Sequence, residues 1–535
     1  MGGPRHSLLW LFLAIYKYYA CITRALGSSS RGLDGGSVVN LFAKLRDAPR
    51  VRTLAALATI AGYYIVWFRS CVLTFFSFDD FRIMRDAATL QMGSLAGAAQ
   101  LLRPRLPNGF STYRPLSQKG YFYLLHQLFG YDASACHAFQ LLICVLNATL
   151  VFGIARRVSG SMLAGLLGAI LYAAAPGHVT AIYWLAAFSM TGSALVVLAT
   201  VYFWLTTGGV KRTVGCSILQ VVGLLTGEYA VAIPVLLAIA AVFGPRHEDR
   251  HRVMRDLTAP VLIVAGYIGA KLYYVAKYPP MVIRGLSYNP TFDALGWVAR
   301  LGHYATACFS ASMWAGASTG LGTGGFLVVG VTAIVLTGLA GWQTLRGRSQ
   351  WRLLAFGSSA FVAGLLPVLP LRDQFANYYI GTAAMGSALA AVGVCQLVGD
   401  SWRRVAVAMV AMLLVVDMCV GPWARVDPRA KLIVGMGTRS AEWIVSVQAA
   451  ARFGFSGVLV PQDPVTGSTF GEAKAEEFFP PAIAVTLYDP ARPPERAPGK
   501  AVLHKPMVEI QLGNPLPGWQ QRWGWLRRYA GADHG

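Results

Sequence analysis

The stretch VRTLAALATIAGYYIVWFRSCVLT, residues 51–74, followed by FFSFDDF, residues 75–81, decides how the rest of the chain is read. Its first part is a largely apolar run of about the 20 residues that an α-helix needs to cross a bilayer. Lys44, Arg46, Arg50 and Arg52 stand at its start, and an excess of Lys and Arg marks the cytoplasmic end of a span. The run therefore begins in the cytoplasm and delivers Asp79 and Asp80 to the opposite face.

The same reading extends along the chain. Apolar runs recur at residues 137–155, 162–175, 182–205, 257–275, 322–341, 353–369, 382–398 and 405–420. Residues 214–225 and 230–243 are shorter runs separated by Thr226-Gly227-Glu228; they read as two short helices meeting near the outer leaflet, or as one long helix with a buried glutamate. With two helices there, the chain has about eleven spans, or twelve if residues 8–20 also cross. The basic clusters Arg156-Arg157, Lys211-Arg212, Arg246 to Arg255, Arg346 to Arg352 and Arg403-Arg404 then all fall on one side, as the distribution of Lys and Arg in short loops predicts.

Composition agrees. Of 535 residues, 55% are hydrophobic and 13% charged, where soluble domains carry about 25% charged residues. The net charge of +22 resides in the short loops, so nucleic acid is not expected as a partner, and membrane lipids are. The eight cysteines include no CxxC pair and read as small hydrophobes rather than as metal ligands or a disulfide framework.

The expected fold is an all-α polytopic membrane domain over residues 51–421, preceded by an N-terminal cytoplasmic or interfacial segment, 1–50. From residue 422 apolar runs of spanning length cease, and Pro, Gly and charge increase. Residues 432–436 and 457–461 read as short strands with a helix over 440–452 between them. This predicts a small α/β domain over 422–535, on the same side as Asp79.

Candidate chemistry gathers on that outer side. Asp79 and Asp80 offer a carboxylate able to take a proton from an attacking hydroxyl; they equally suit the start of an amphipathic helix near Ile83, where aspartate is favoured. Tyr113 and Arg114 precede an aromatic stretch, and an arginine fork at a membrane surface suits a phosphate or diphosphate headgroup. Arg284, Arg372 and Lys277 occupy other outer loops and add positive charge there. Glu228, beside apolar residues, is costly unless it is paired or faces a polar cavity; Arg114, Lys271, Lys277 and Arg372 are its available partners. His178 lies near the outer end of a span, either orienting a substrate or resting as an interfacial side chain. No cofactor is indicated, no residue set has metal-ligand spacing, and a divalent ion on Asp79, Asp80 and Glu228 is the one such arrangement available.

In this order the landmarks resemble the GT-C superfamily of multi-span glycosyltransferases, especially the protein O-mannosyltransferase-like branch. Phe78-Asp79-Asp80 is similar to that family's acidic pair after the first helix. Arg114-Pro115-Leu116 with Phe129-Gly130, Pro176-Gly177-His178 with Trp184, and Gly227-Glu228 with Pro234 are similar to its later elements. The resemblance covers about residues 50–400. It implies an inverting transferase that moves a sugar from a polyprenyl-phosphate donor to a protein, glycan or lipid hydroxyl of the cell envelope. By the same resemblance Asp79 or Asp80 is the base, Arg114, Arg372, Arg284 and Lys277 hold the donor phosphate, and Glu228, His178, Tyr113 and Trp184 bind substrate or support the site. The implied location is a bacterial inner membrane, with the site on its periplasmic face. The chain departs from the family pattern at Thr180, where an acid is usual, at Phe188, where an arginine is, and at Gly227, where a lysine is. Asn377 and Tyr378 lie where a Glu-Arg-Tyr element is usual, and no tetratricopeptide tail is present. Two other classes compete: a lipid or glycan transporter or flippase, for which related halves and a charged central route would be expected, and a noncatalytic envelope-assembly scaffold.

Overall fold

The computed structural model describes residues 49–77, 79–90, 94–102, 114–245, 250–277, 291–309, 323–371, 377–398, 401, 428–452, 456–472, 483–491 and 500–503. The chain divides into two compact units, Met1–Ala58 and Thr59–Gly535. Of the first, the described residues are the opening turns of helix α1, Pro49–Phe68. Every other described residue belongs to the second.

Among the described residues, five helical segments are long and apolar enough to cross a membrane: Pro49–Leu73, Ala133–Ser159, Leu185–Thr206, His251–Tyr273 and Gly324–Leu345. They correspond to α1 with its 3-10 extension, α5 (Ala133–Ser159), α8 (Phe188–Thr206), α11 (Arg250–Lys277) and α13 (Thr323–Leu345). Shorter apolar helices lie between them: α6 (Met162–Ala173), α9 (Gly209–Thr226), α10 (Ile233–Phe243), α14 (Arg352–Leu365) and α15 (Ala383–Leu397). The expected run at 405–420 lies outside the described residues, as does the N-terminal segment before residue 49.

Two of these helices show what surrounds the molecule. Only 17% of the apolar window of α11 and 11% of that of α13 is buried within the protein, against 67% for the segment containing α8. Leu262, Leu272, Val328 and Val335 are exposed on the first two. Apolar faces that long are incompatible with water and suited to lipid. The chain is a multi-pass membrane protein.

Hydrogen bonds identify the two ends of the helix assembly. At one end Ser70 bonds the Tyr183 hydroxyl, Asp80 bonds Ala186, and Arg114 bonds Ser189 and Glu228. At the other, Arg212 at the start of α9 pairs with Asp256 near the start of α11. That pair is buried, and the guanidinium lies 4.2 Å from the Trp204 ring centroid. Of the two readings of residues 214–243, the structure has two helices turning at Gly227, so Glu228 sits at the turn rather than inside a span.

Between the spans, α2 (Asp79–Ala88), α3 (Leu95–Leu102), α4 (Tyr121–Phe129) and α7 (His178–Tyr183) cover this first end. Helix α2 is amphipathic: Phe81, Ile83, Met84 and Ala87 are buried while Arg82 and Arg85 are half-exposed, the spacing of a helix with one apolar face.

The C-terminal elements pack on α2 and α4. Residues 432–436, expected as a strand, belong instead to helix α16 (Pro428–Arg452). Ile433, Met436, Ala441, Ile444 and Val447 are buried along it, a helical period that a five-residue apolar run is too short to reveal. The expected strand at 457–461 is present as β1 (Gly457–Pro461), paired in parallel with β2 (Ala484–Tyr488) on one side and β3 (Lys500–Val502) on the other. Apolar side chains of α16 and this sheet, among them Trp443, Ile444, Val458 and Val460, join Phe75, Phe76, Phe81, Met84, Phe122 and Leu125 in one core. Gly437 is what allows the approach: a Cβ there would lie 2.8 Å from the Phe75 carbonyl oxygen.

Candidate active site

Asp79 and Asp80 are adjacent at the start of α2, yet their surroundings differ completely. Asp80 is wholly buried. Its Oδ1 accepts from the Ala186 amide at 2.7 Å, and its Oδ2 accepts from the Ser77 amide at 3.0 Å and the Ser77 hydroxyl at 3.4 Å. Burial pushes its carboxyl up to about 7, although the Ser77 and Ala186 amides work against the shift. Asp79 is 38% exposed, with one oxygen 2.9 Å from Arg82 Nη2. Its other oxygen has no hydrogen-bond partner among the described residues. Sequence alone offers two interchangeable carboxylates; the structure buries Asp80 and leaves Asp79 partly exposed.

Arg114 stands just before a π-helical turn, Leu116–Gly120, that leads into α4. Its Nε donates to Glu228 Oε2 at 2.6 Å and its Nη1 to Ser189 Oγ at 3.3 Å. Lys271, on α11, donates to Glu228 Oε1 at 3.1 Å. Burial alone would raise the Glu228 carboxyl, but Arg114 and then Lys271 overcome it and hold the group down at about 2. Of the four partners expected for Glu228, Arg114 and Lys271 are paired with it among the described residues; Arg372 lies outside them. Two cations against one carboxylate leave a net positive cluster, roughly a quarter of each side chain being exposed.

Gly227, where the resembled family has lysine, is fixed by packing. A Cβ at this position would fall 2.5 Å from Ser193 Oγ and 3.1 Å from the Ser189 carbonyl. A side chain is therefore excluded here, and Lys271 supplies a cation to Glu228 from a different helix. Phe188, where arginine is usual, lies face to face with Tyr121 at 3.6 Å between centroids. Tyr121 in turn donates to Gln140, whose amide donates to the Ala181 carbonyl and to Thr191. The segment 181–191 is thus clamped from several sides, and Thr180 is buried beneath it.

The remaining expected residues divide. His178 is buried, with its ring 4.4 Å from that of Tyr172, and burial lowers it to about 4; a neutral ring there brings no positive charge to a phosphate. Trp184 is half-buried and ends α7 in an extended conformation two residues before Ala186. Lys277 ends α11, six residues beyond Lys271. Tyr113, Arg284 and Arg372 lie outside the described residues. Asp80 and Glu228 spend their oxygens on amide and cationic donors, so the trio Asp79, Asp80 and Glu228 does not form an open cation cage. Among the described residues no group of three or more His, Cys, Asp or Glu is placed to hold a metal ion. Ser189 escapes a reading of the sequence, where one serine among many in an apolar segment carries no signal. Tyr229 and Tyr379 escape it too; their rings lie 6.4 Å apart near Arg114.

No protein-family model matches the chain, and no curated protein matches it. Among solved structures it is similar to ArnT from Cupriavidus metallidurans, crystallised bound to undecaprenyl phosphate, with 16% identity and a TM-score of 0.42 over 81% of this chain and 85% of that one. The apo state of the same protein gives 15% identity and a TM-score of 0.41 over the same shares. The apo oligosaccharyltransferase of Archaeoglobus fulgidus is similar at 12% identity and a TM-score of 0.45, over 79% of this chain and 64% of that one.

Proposed function

We propose that the chain is an inverting glycosyltransferase of a bacterial inner membrane, moving a sugar from a polyprenyl-phosphate donor to a hydroxyl of an envelope protein, glycan or lipid. The observation that carries this reading is the pairing of one accessible carboxylate, Asp79, with a positive cluster, Arg114–Glu228–Lys271, at the same end of the helices. Lys271 belongs to a helix whose flank faces lipid, so a phosphate carried on a hydrocarbon chain meets this cation from the bilayer side.

The chemistry is set by charge. Asp79 takes the proton from the acceptor hydroxyl as its oxygen forms a bond to the anomeric carbon. The bond from that carbon to the phosphate oxygen breaks on the opposite face, and its electron pair leaves with the phosphate. Arg114 and Lys271 meet the charge that develops there, where fixed cations in a partly dry site act more strongly than in water. Glu228 holds both cations in place and keeps them from repelling each other. Helices α2 and α3 and helix α12 (Ala294–Phe309) shield the outer face, and the C-terminal elements beside α2 select the acceptor.

The test is transfer of labelled sugar from a panel of undecaprenyl-phosphate-linked pentoses and hexoses to an envelope extract. Asp79→Asn is expected to lower turnover by about 10²- to 10⁴-fold while leaving the affinity for undecaprenyl phosphate intact. Undiminished transfer by this variant, at equal abundance, removes Asp79 as the base.

A further inference from the structure

The proposed base and the proposed phosphate cluster lie on different elements, and the short segment 186–189 connects them. The Ala186 amide donates to Asp80 Oδ1 across 106 positions of sequence. Three residues on, the Ser189 hydroxyl receives Arg114 Nη1. Between them Phe188 stacks on Tyr121, which lies in the helix that Arg114 leads into. The segment is therefore gripped by α2 at one end and by the Arg114 strand of chain at the other.

Resting on the function proposed above, we infer that Asp80 is a positioning residue: its buried carboxylate pins the start of α2 to segment 186–189 and so fixes Asp79 relative to the phosphate cluster. Asp80 touches no substrate itself. Both of its oxygens face N–H donors, Ser77 and Ala186, and a carboxyl group, ionised or protonated, keeps an acceptor lone pair on each oxygen. An asparagine of the same shape would turn an NH2 group toward one of these amides. The start of α2 would then shift, while Arg114 keeps its own anchor on Glu228.

Because reacting atoms must be held near contact distance, a small displacement of a base is costly in rate and not in binding. Asp80→Asn is therefore expected to lower kcat by about 10- to 100-fold, with the affinity for undecaprenyl phosphate within twofold of wild type. A fall in kcat and affinity together, in proportion to lost folded protein, would mean that Asp80 only stabilises the fold and would overturn the proposal; so would an unchanged kcat. If Asp80→Asn does not accumulate, Ser77→Ala removes a single donor to the same carboxylate. A lowered kcat with unchanged affinity in that variant supports the proposal, and an unchanged kcat overturns it. The underlying reading fails separately: Asp79→Asn at full turnover removes both, whereas an inactive Asp79→Asn beside a fully active Asp80→Asn removes the positioning role alone.

Discussion

Lys271 Nζ lies 3.1 Å from Glu228 Oε1, on the opposite side of the carboxylate from Arg114. One carboxylate is thereby shared by two cations, and Lys271 is the one that the sequence sets in an apolar run. Neutralising it with Lys271→Met should leave the Arg114–Glu228 pair intact and remove the net positive charge. Affinity for undecaprenyl phosphate is expected to fall about tenfold, the effect of one charge-assisted contact, as measured by ligand-induced thermal shift. Affinity equal to wild type would take Lys271 out of the phosphate site.

A pH dependence arises from Asp80. Burial raises it from 3.8 to about 7, so between those values the folded chain holds a proton that the unfolded chain releases. The contribution of this group to stability is complete at pH below the unfolded value and is lost as pH rises through the folded one. A shift of that size corresponds to on the order of 4 kcal/mol. The wild-type Tm in detergent should fall relative to that of Asp80→Asn as pH rises from 4 to 7. Parallel curves would show that Asp80 does not titrate in this range.

At the other end of the helices, Arg212 and Asp256 are both buried. Arg212→Ala takes the hydrogen-bonded partner from this buried carboxylate, leaving the exposed Arg255 at 3.7 Å, and is expected to cost about 3 kcal/mol. The double change Arg212→Met with Asp256→Leu should cost less than either single one. Urea or thermal unfolding in detergent measures both, and additive losses would mean the pair is not coupled.

Two glycines of α16 make a matched test. A methyl at Gly437 meets the Phe75 carbonyl at 2.8 Å, whereas nothing lies within 4 Å of one at Gly435. Gly437→Ala is expected to destabilise by about 1–3 kcal/mol through overpacking. Gly435→Ala should be neutral or stabilising by up to about 1 kcal/mol, the helix propensity difference. Equal effects would contradict the close approach of α16 to residue 75.

The membrane helices were legible because spanning length and loop charge are local properties of sequence. Every expected span within the described residues coincides with a helix or helical pair. Glu228 was legible for a related reason: a carboxylate beside apolar residues demands a partner, and Lys271 is a rare charge in its own run. What stayed hidden depends on contacts between distant segments. Asp79 and Asp80 cannot be told apart until Ala186 and Ser77 claim one of them. Phe188 reads as a lost arginine until Tyr121 is seen stacked on it. Residues 432–436 read as a strand because their helical period appears only with the 20 residues that surround them.

The shared core of α2, α4 and the C-terminal sheet has a consequence for the order of events during synthesis. Phe81 and Met84 are made early, whereas Trp443, Val458 and Val460, which complete their packing, emerge from the ribosome hundreds of residues later. Until those late side chains have folded back onto it, the helix bearing Asp79 lacks much of its support. A half-made chain is thus also an idle one, and assembly finishes where the proposed chemistry begins.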